Sequence, residues 1–215
     1  MATVYDCGVP DSRSAGLAAA AGAVRAGSLV VVPTDTLYGI GADAFAPEAV
    51  RALLAAKRRG PDMPVPVLVG SWSTIDGLVP SVPTVARDLL EAFWPGGLSL
   101  VLPHVPSLNW DLGRTRGTVM LRMPLHPVAL ELLRECGPMA VSSANVSGRP
   151  PATTVAEAQD QLGESVECYL DGGVCATGVA STIVDLTGPA PTIRREGAVS
   201  AQQVSEVVGS PVAVA

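Results

Sequence analysis

Apolar residues along the chain follow two periodicities that alternate from one end to the other. Short apolar or alternating runs at 28–32, 65–69, 98–102, 119–123, 139–141, 181–186 and 192–194 predict β-strands, because a pleated strand turns successive side chains to opposite faces. Between them apolar residues recur every three to four positions, at 14–26, 47–58, 83–93, 126–136, 155–162 and 201–208, and predict helices. Pro47, Pro83 and Pro127 stand where a first helical turn tolerates proline. Thr154 with Glu157 and Ser200 with Gln203 have capping-box spacing, and Gly27, Gly137, Gly163 and Gly209 mark C-terminal ends. Strands that recur singly and in adjacent pairs predict a mixed sheet flanked by helices, an α/β (α+β) fold. No repeat and no long linker interrupts the pattern, so one domain over residues 1–215 is expected, with a core of about 14–209 and a polar, Pro-rich loop at 148–153.

Composition narrows the function. With 48% apolar and 16% charged residues the chain buries a core, and with 4% aromatics that core is aliphatic and leaves little for stacking single-stranded bases. A formal charge of −6 argues against a sequence-independent grip on nucleic acid, which needs many cations to displace counterions. The 14 basic residues include a single lysine, Lys57. Cys7, Cys136, Cys168 and Cys175 form no C-x-x-C pair, and neither His104 nor His126 lies at ligand spacing from them, so no metal site is expected. The cysteines read as reduced thiols of a cytoplasmic protein. Asp6 and Asp11 ahead of the Ala-rich run argue against a signal peptide, and no apolar stretch is long enough to span a membrane.

Five segments carry candidate chemistry. Residues 33–41, PTDTLYGIG, follow an apolar strand and concentrate hydroxyls, a carboxylate and a phenol, with Gly39 and Gly41 permitting close backbone approach to a ligand; an ordinary turn explains them equally. Val50, Leu53, Leu54 and Lys57 fall at i, i+3, i+4 and i+7, so the lysine continues an apolar stripe and points inward or along a cleft. Its stem covering apolar surface, or the 57–59 cluster complementing the helix dipole, accounts for this as well as a bound polyphosphate does. Arg122 lies in the otherwise apolar strand of GTVMLRMP and needs a partner, either an internal carboxylate such as Asp185 or a ligand carboxylate. SSANVSG, 142–148, offers hydroxyls and an amide to a phosphate or nucleoside, and STIVDLT with IRREG adds hydroxyls and cations at strand ends. No Walker A loop, G-x-G-x-x-G turn or G-x-S-x-G elbow occurs, so any ATP sits in a different cradle and no serine is a nucleophile.

Taken together and in this order, the five segments resemble the Sua5/YrdC/YciO family of threonylcarbamoyl-AMP synthases in its short form, without the extra C-terminal Sua5 domain. The resemblance implies a single-domain YrdC-like fold, a twisted mixed sheet with a deep basic cleft. It implies that L-threonine, bicarbonate or CO2 and ATP, with Mg2+, give L-threonylcarbamoyl-AMP and pyrophosphate. A threonylcarbamoyltransferase complex would then modify adenosine 37 of tRNAs reading codons that begin with A. Position by position it implies Thr34, Thr36, Arg122 and Val141 at the threonine, and Lys57, Arg59, Thr118, Ser143, Asn145, Ser181 and Arg195 at the ATP, with Lys57 and Arg59 catalytic.

Met63, Leu68 and Pro151 depart from the commoner pattern, where an Asn, a His and a Ser often contact the substrates. Two alternatives stand beside this one: a paralogue adenylating another carbamoyl compound, and a non-catalytic module holding tRNA or double-stranded RNA by weak contacts to shape and phosphate.

Overall fold

The protein is described by a computed structural model over residues 2–215. Its strands are β1 (Thr3–Asp6), β2 (Val30–Val32), β3 (Gly39–Asp43), β4 (Val67–Leu68), β5 (Leu98–Pro103) and β6 (Thr118–Arg122). The second half adds β7 (Met139–Ser143), β8 (Cys168–Asp171), β9 (Thr182–Asp185), β10 (Thr192–Arg195) and β11 (Ala213–Val214). All lie in one sheet of order β1-β8-β2-β3-β7-β4-β6-β5-β9-β10-β11. Parallel pairs such as β4 with β6 and antiparallel ones such as β3 with β7 make the mixed sheet that the strand pattern predicts.

Six helices pack on it: α1 (Pro10–Arg25), α2 (Pro47–Ala56), α3 (Thr84–Phe93), α4 (Pro127–Cys136), α5 (Val155–Leu162) and α6 (Ala201–Val208). Strand alternation divides the core between the two faces of the sheet. Val31, Val67, Val69 and Ala140 join the larger apolar cluster on one face, while Val30, Val32, Leu68, Met139 and Val141 join Leu132 and Leu133 of α4 and the buried alanines of α1 on the other. A strand buried on both sides reads as a continuous apolar run, as β2 does.

The capping boxes at Thr154 and Ser200 form as their spacing predicts, and Gly209 ends α6 in the left-handed conformation. Other expectations need correction. Helix α1 begins at Pro10, ahead of the predicted 14, because Asp11, Ser12 and Arg13 hide its apolar stripe. Pro83 is the N-cap of α3 and precedes its first turn. The sheet also reaches beyond residues 14–209, since β1 pairs with β8 and β11 with β10. Strand β3 begins within the segment read as a turn and runs on to Asp43. Its glycines serve packing: a Cβ at Gly39 would stand 2.6 Å from Val141 Cγ1, and one at Gly41 2.9 Å from Met139 Cε. They let β7 side chains lie flat over β3, and the reading of both as room for a ligand is set aside.

Candidate active site

Burying an arginine requires that its N–H groups be matched, and Arg122 at the end of β6 shows how. Its Nη2 donates to Asp35 Oδ1 at 2.7 Å, Nη1 to Thr36 Oγ1 at 2.8 Å, and Nε to the Gly96 carbonyl at 2.9 Å. Three of five N–H groups are thus used, and one on each terminal nitrogen is left over. The carboxylate is Asp35. Asp185, the sequence-level candidate, pairs instead with Arg194 at 3.0 Å. Burial pushes the Arg122 guanidinium down from its ordinary range, Asp35 pulls it back up, and the nearby charge of Arg195 lowers it again.

Asp35 is the residue that motif reading passed over. Its Oδ1 also accepts from Leu125 N at 2.8 Å, and its carbonyl accepts from Thr177 N at 3.2 Å and Thr177 Oγ1 at 3.1 Å. Thr34 holds the same turn from inside, donating to the Leu37 carbonyl at 2.6 Å and lying 3.0 Å from Thr36 Oγ1. Tyr38, wholly buried, shares its hydroxyl with Gly173 O at 2.6 Å and Gly172 N at 3.0 Å. Loop 172–177 is thereby fixed against loop 33–38.

The second group surrounds Lys57, the C-cap of α2, which is 2% exposed. Its ammonium donates to the Ser143 carbonyl, to the Asn145 carbonyl at 2.8 Å and to Asn145 Oδ1 at 3.3 Å. Its own carbonyl accepts from Ser147 N at 2.8 Å. All the donors of the ammonium are spent on the end of β7 and the loop that follows it, so Lys57 grips residues 143–147. Burial, and then the charge of Arg59, lower this ammonium to about 8. Arg59 donates from Nη1 to Ser142 Oγ at 3.1 Å and from Nη2 to Pro64 O at 3.0 Å, while its buried Nε has no partner among the described residues.

Asn145 turns its amide back to the Val146 and Arg149 carbonyls. Val141 is buried and donates its N–H to Pro66 O at 2.9 Å. Arg195 forks onto the Ser181 carbonyl at 3.0 and 2.7 Å, and Ser181 Oγ lies 2.9 Å from Ser99 Oγ.

The sequence-predicted residues therefore gather in two groups. Thr34, Thr36, Arg122, Ser181 and Arg195 form one; Lys57, Arg59, Val141, Ser143 and Asn145 form the other. Strand β3 joins them, running from loop 33–38 to pair Gly39 with Ser143, and Ala144 N donates to Tyr38 O at 2.8 Å. Thr118, at the far end of β6 from Arg122, bonds within its own turn to Thr115 O at 2.7 Å and, among the described residues, forms no hydrogen bond with either group. Two surface depressions beside α1, of about 370 and 450 Å³, are lined by other residues.

A family model named Sua5_yciO_yrdC, described as "Telomere recombination", matches residues 22–197. A Mycobacterium tuberculosis (strain H37Rv) protein, provisionally named a threonylcarbamoyl-AMP synthase, is 61% identical over 209 residues, 97% of this chain and 96% of that protein. The threonylcarbamoyl-AMP synthase of Pyrococcus abyssi is 37% identical over 191 residues, 88% of this chain and 56% of that one. The crystal structure of P. abyssi Sua5 complexed with L-threonine superposes with a TM-score of 0.92 at 33% identity, over all of this chain and 62% of that chain. With the family model covering the sheet from α1 to β10 and a relative of nearly equal length sharing most of its residues, the chain belongs to the Sua5/YciO/YrdC family.

Proposed function

We propose that the protein is a nucleotidyltransferase that makes L-threonylcarbamoyl-AMP from L-threonine, bicarbonate or CO2 and ATP, for later transfer by a threonylcarbamoyltransferase complex to tRNA. The observation that carries this reading is Arg122, buried beside Thr36 with two N–H groups left over, which is the donor set an amino-acid carboxylate takes bidentately. The names of the relatives and the threonine bound in the P. abyssi structure support it.

In this reading the threonine amine adds to CO2 to give a carbamate. A carbamate oxygen attacks the α-phosphorus, the bond from that phosphorus to the bridging oxygen breaks, and pyrophosphate leaves. Such a displacement needs aligned reactants and cations on the leaving phosphates more than a strong base. In this reading Arg59, with its unmatched Nε, and Arg195 supply that charge, and Thr118, Ser143, Asn145 and Ser181 supply neutral hydrogen-bonding groups. Lys57 adds its own charge from behind Ser143 and Asn145 while setting their carbonyls. Mg2+ enters this reading on the triphosphate oxygens, with few protein ligands of its own. The four free cysteines fit a cytoplasmic setting.

Pyrophosphate release measured with and without L-threonine tests the proposal. ATP, Mg2+, bicarbonate and threonine should together release pyrophosphate and form an adenylate, with serine a poor substitute. Equal turnover in the absence of threonine overturns it.

A further inference from the structure

Among the described residues only two other than glycine adopt a left-handed backbone, Arg58 (φ 51°) and Arg116 (φ 53°). Each stands where a motif asks for a different residue. Arg58 N donates to Ala55 O and Arg59 N to Leu54 O, both at 2.9 Å, so α2 ends in a Schellman motif with Arg58 at the position that glycine usually fills. Thr118 N donates to Thr115 O at 3.1 Å, closing a four-residue turn whose central residues, Arg116 and Gly117, both have positive φ, the pattern that favours Asn-Gly. Neither arginine suits its backbone, and both are exposed.

Charge points the same way. The eight ion pairs among the described residues involve seven arginines, Arg51 appearing twice, and neither Arg58 nor Arg116 is among them. In a chain with 20 acidic and 14 basic residues, carboxylates were plentiful enough to match them. The two loops are also bound to each other: Arg114 N donates to Pro61 O at 2.8 Å, and Val65 N to Leu112 O at 2.9 Å. Arg58 adjoins Arg59, and Arg116 lies two residues before Thr118, so both strained cations flank residues of the proposed nucleotide site.

We propose that Arg58 and Arg116 form an outer cationic clamp on the β- and γ-phosphates of the nucleotide. The inference rests on the ATP reading above and extends it to two residues outside the five motifs' site set. Guanidinium groups suit phosphate oxygens, and the outer phosphates carry the charge that distinguishes ATP from AMP. The strain is then the structural cost of placing cations at an exposed rim where glycine would fold better.

Arg58→Gly and Arg116→Gly test this, because the same change helps the backbone and removes the charge. Thermal unfolding and binding of AMP and of an ATP analogue with a methylene between the α- and β-phosphorus are measured for each variant. Each glycine variant should unfold at a higher temperature than wild type and bind the analogue about three- to fivefold more weakly, the range of an exposed charge contact, with AMP affinity unchanged. Raising salt should narrow the difference. Wild-type affinity for the analogue in both variants, or an equal loss for AMP, overturns the clamp. Wild-type protein that binds neither nucleotide overturns the ATP reading itself, which separates the two failures.

Discussion

Arg122 and Lys57 are both taken almost wholly out of water, 7% and 2% exposed, and the molecule accommodates them in opposite ways. Arg122 receives a full carboxylate, Asp35, which offsets its own charge even with Arg195 nearby. Lys57 receives only neutral oxygens, and its nearest charge is the like-signed Arg59, so a net positive field remains around it. A neutral pair suits a zwitterion, whose own charges cancel, and an uncancelled cation suits a polyanion. In the proposed reading the two buried cations divide the substrates between them.

The contrast is broken first at Arg122. Arg122→Ala leaves Asp35, whose side chain is 13% exposed, without its cation and should lower the free energy of unfolding by about 3–5 kcal/mol in urea titration, with threonine-dependent turnover lost. An Asp35→Asn, Arg122→Ala double variant less unstable than the sum of the singles would confirm that the pair is the unit. A loss under about 1 kcal/mol would show that the pair contributes little.

At Lys57 no carboxylate is orphaned, so Lys57→Met should cost less, about 1–3 kcal/mol, with faster hydrogen exchange confined to 143–147. The sign of its pH dependence is fixed by linkage. The folded ammonium titrates near 8, below its ordinary 10.5, so between those values the unfolded chain binds more protons. Wild type should therefore gain stability on Lys57→Met as pH rises from about 8 to 10.5, and gain none below about 8. A flat difference across that window would mean that the ammonium is not desolvated. The smallest effect on folding belongs to Arg59→Ala, which also removes an unmatched Nε; its mark should be a loss of at least about tenfold in kcat/KM for ATP, equivalent to ~1.4 kcal/mol.

How much of this the sequence disclosed follows from how local each signal is. Helix ends were legible because Thr154 and Glu157, or Ser200 and Gln203, meet within one turn. The inward direction of Lys57 was legible from its place on the apolar stripe, whereas its destination at Ser143 lies 86 residues away. Asp35 could not be matched to Arg122 across 87 residues, and Asp185 was as good a candidate until the sheet was folded. Strand β3 escaped because Gly39 and Gly41 carry no β-preference of their own; the side chains of β7 that lie over them are what require glycine there. Strand β8 likewise owes its conformation to neighbours on both sides, β1 and β2.

That last arrangement governs how the chain can come together as it is made. Residues 168–171 slot between two strands from the N-terminal end, and β9 joins β5 from 84 residues downstream. Until about four fifths of the polypeptide has been made, β1 and β2 lack the strand that links them, and Arg195 is joined to Ser181 later still. The two residue groups proposed to bind substrate therefore meet late in synthesis, and a nascent chain released early would carry the hydroxyl motifs without the strands that bring them together.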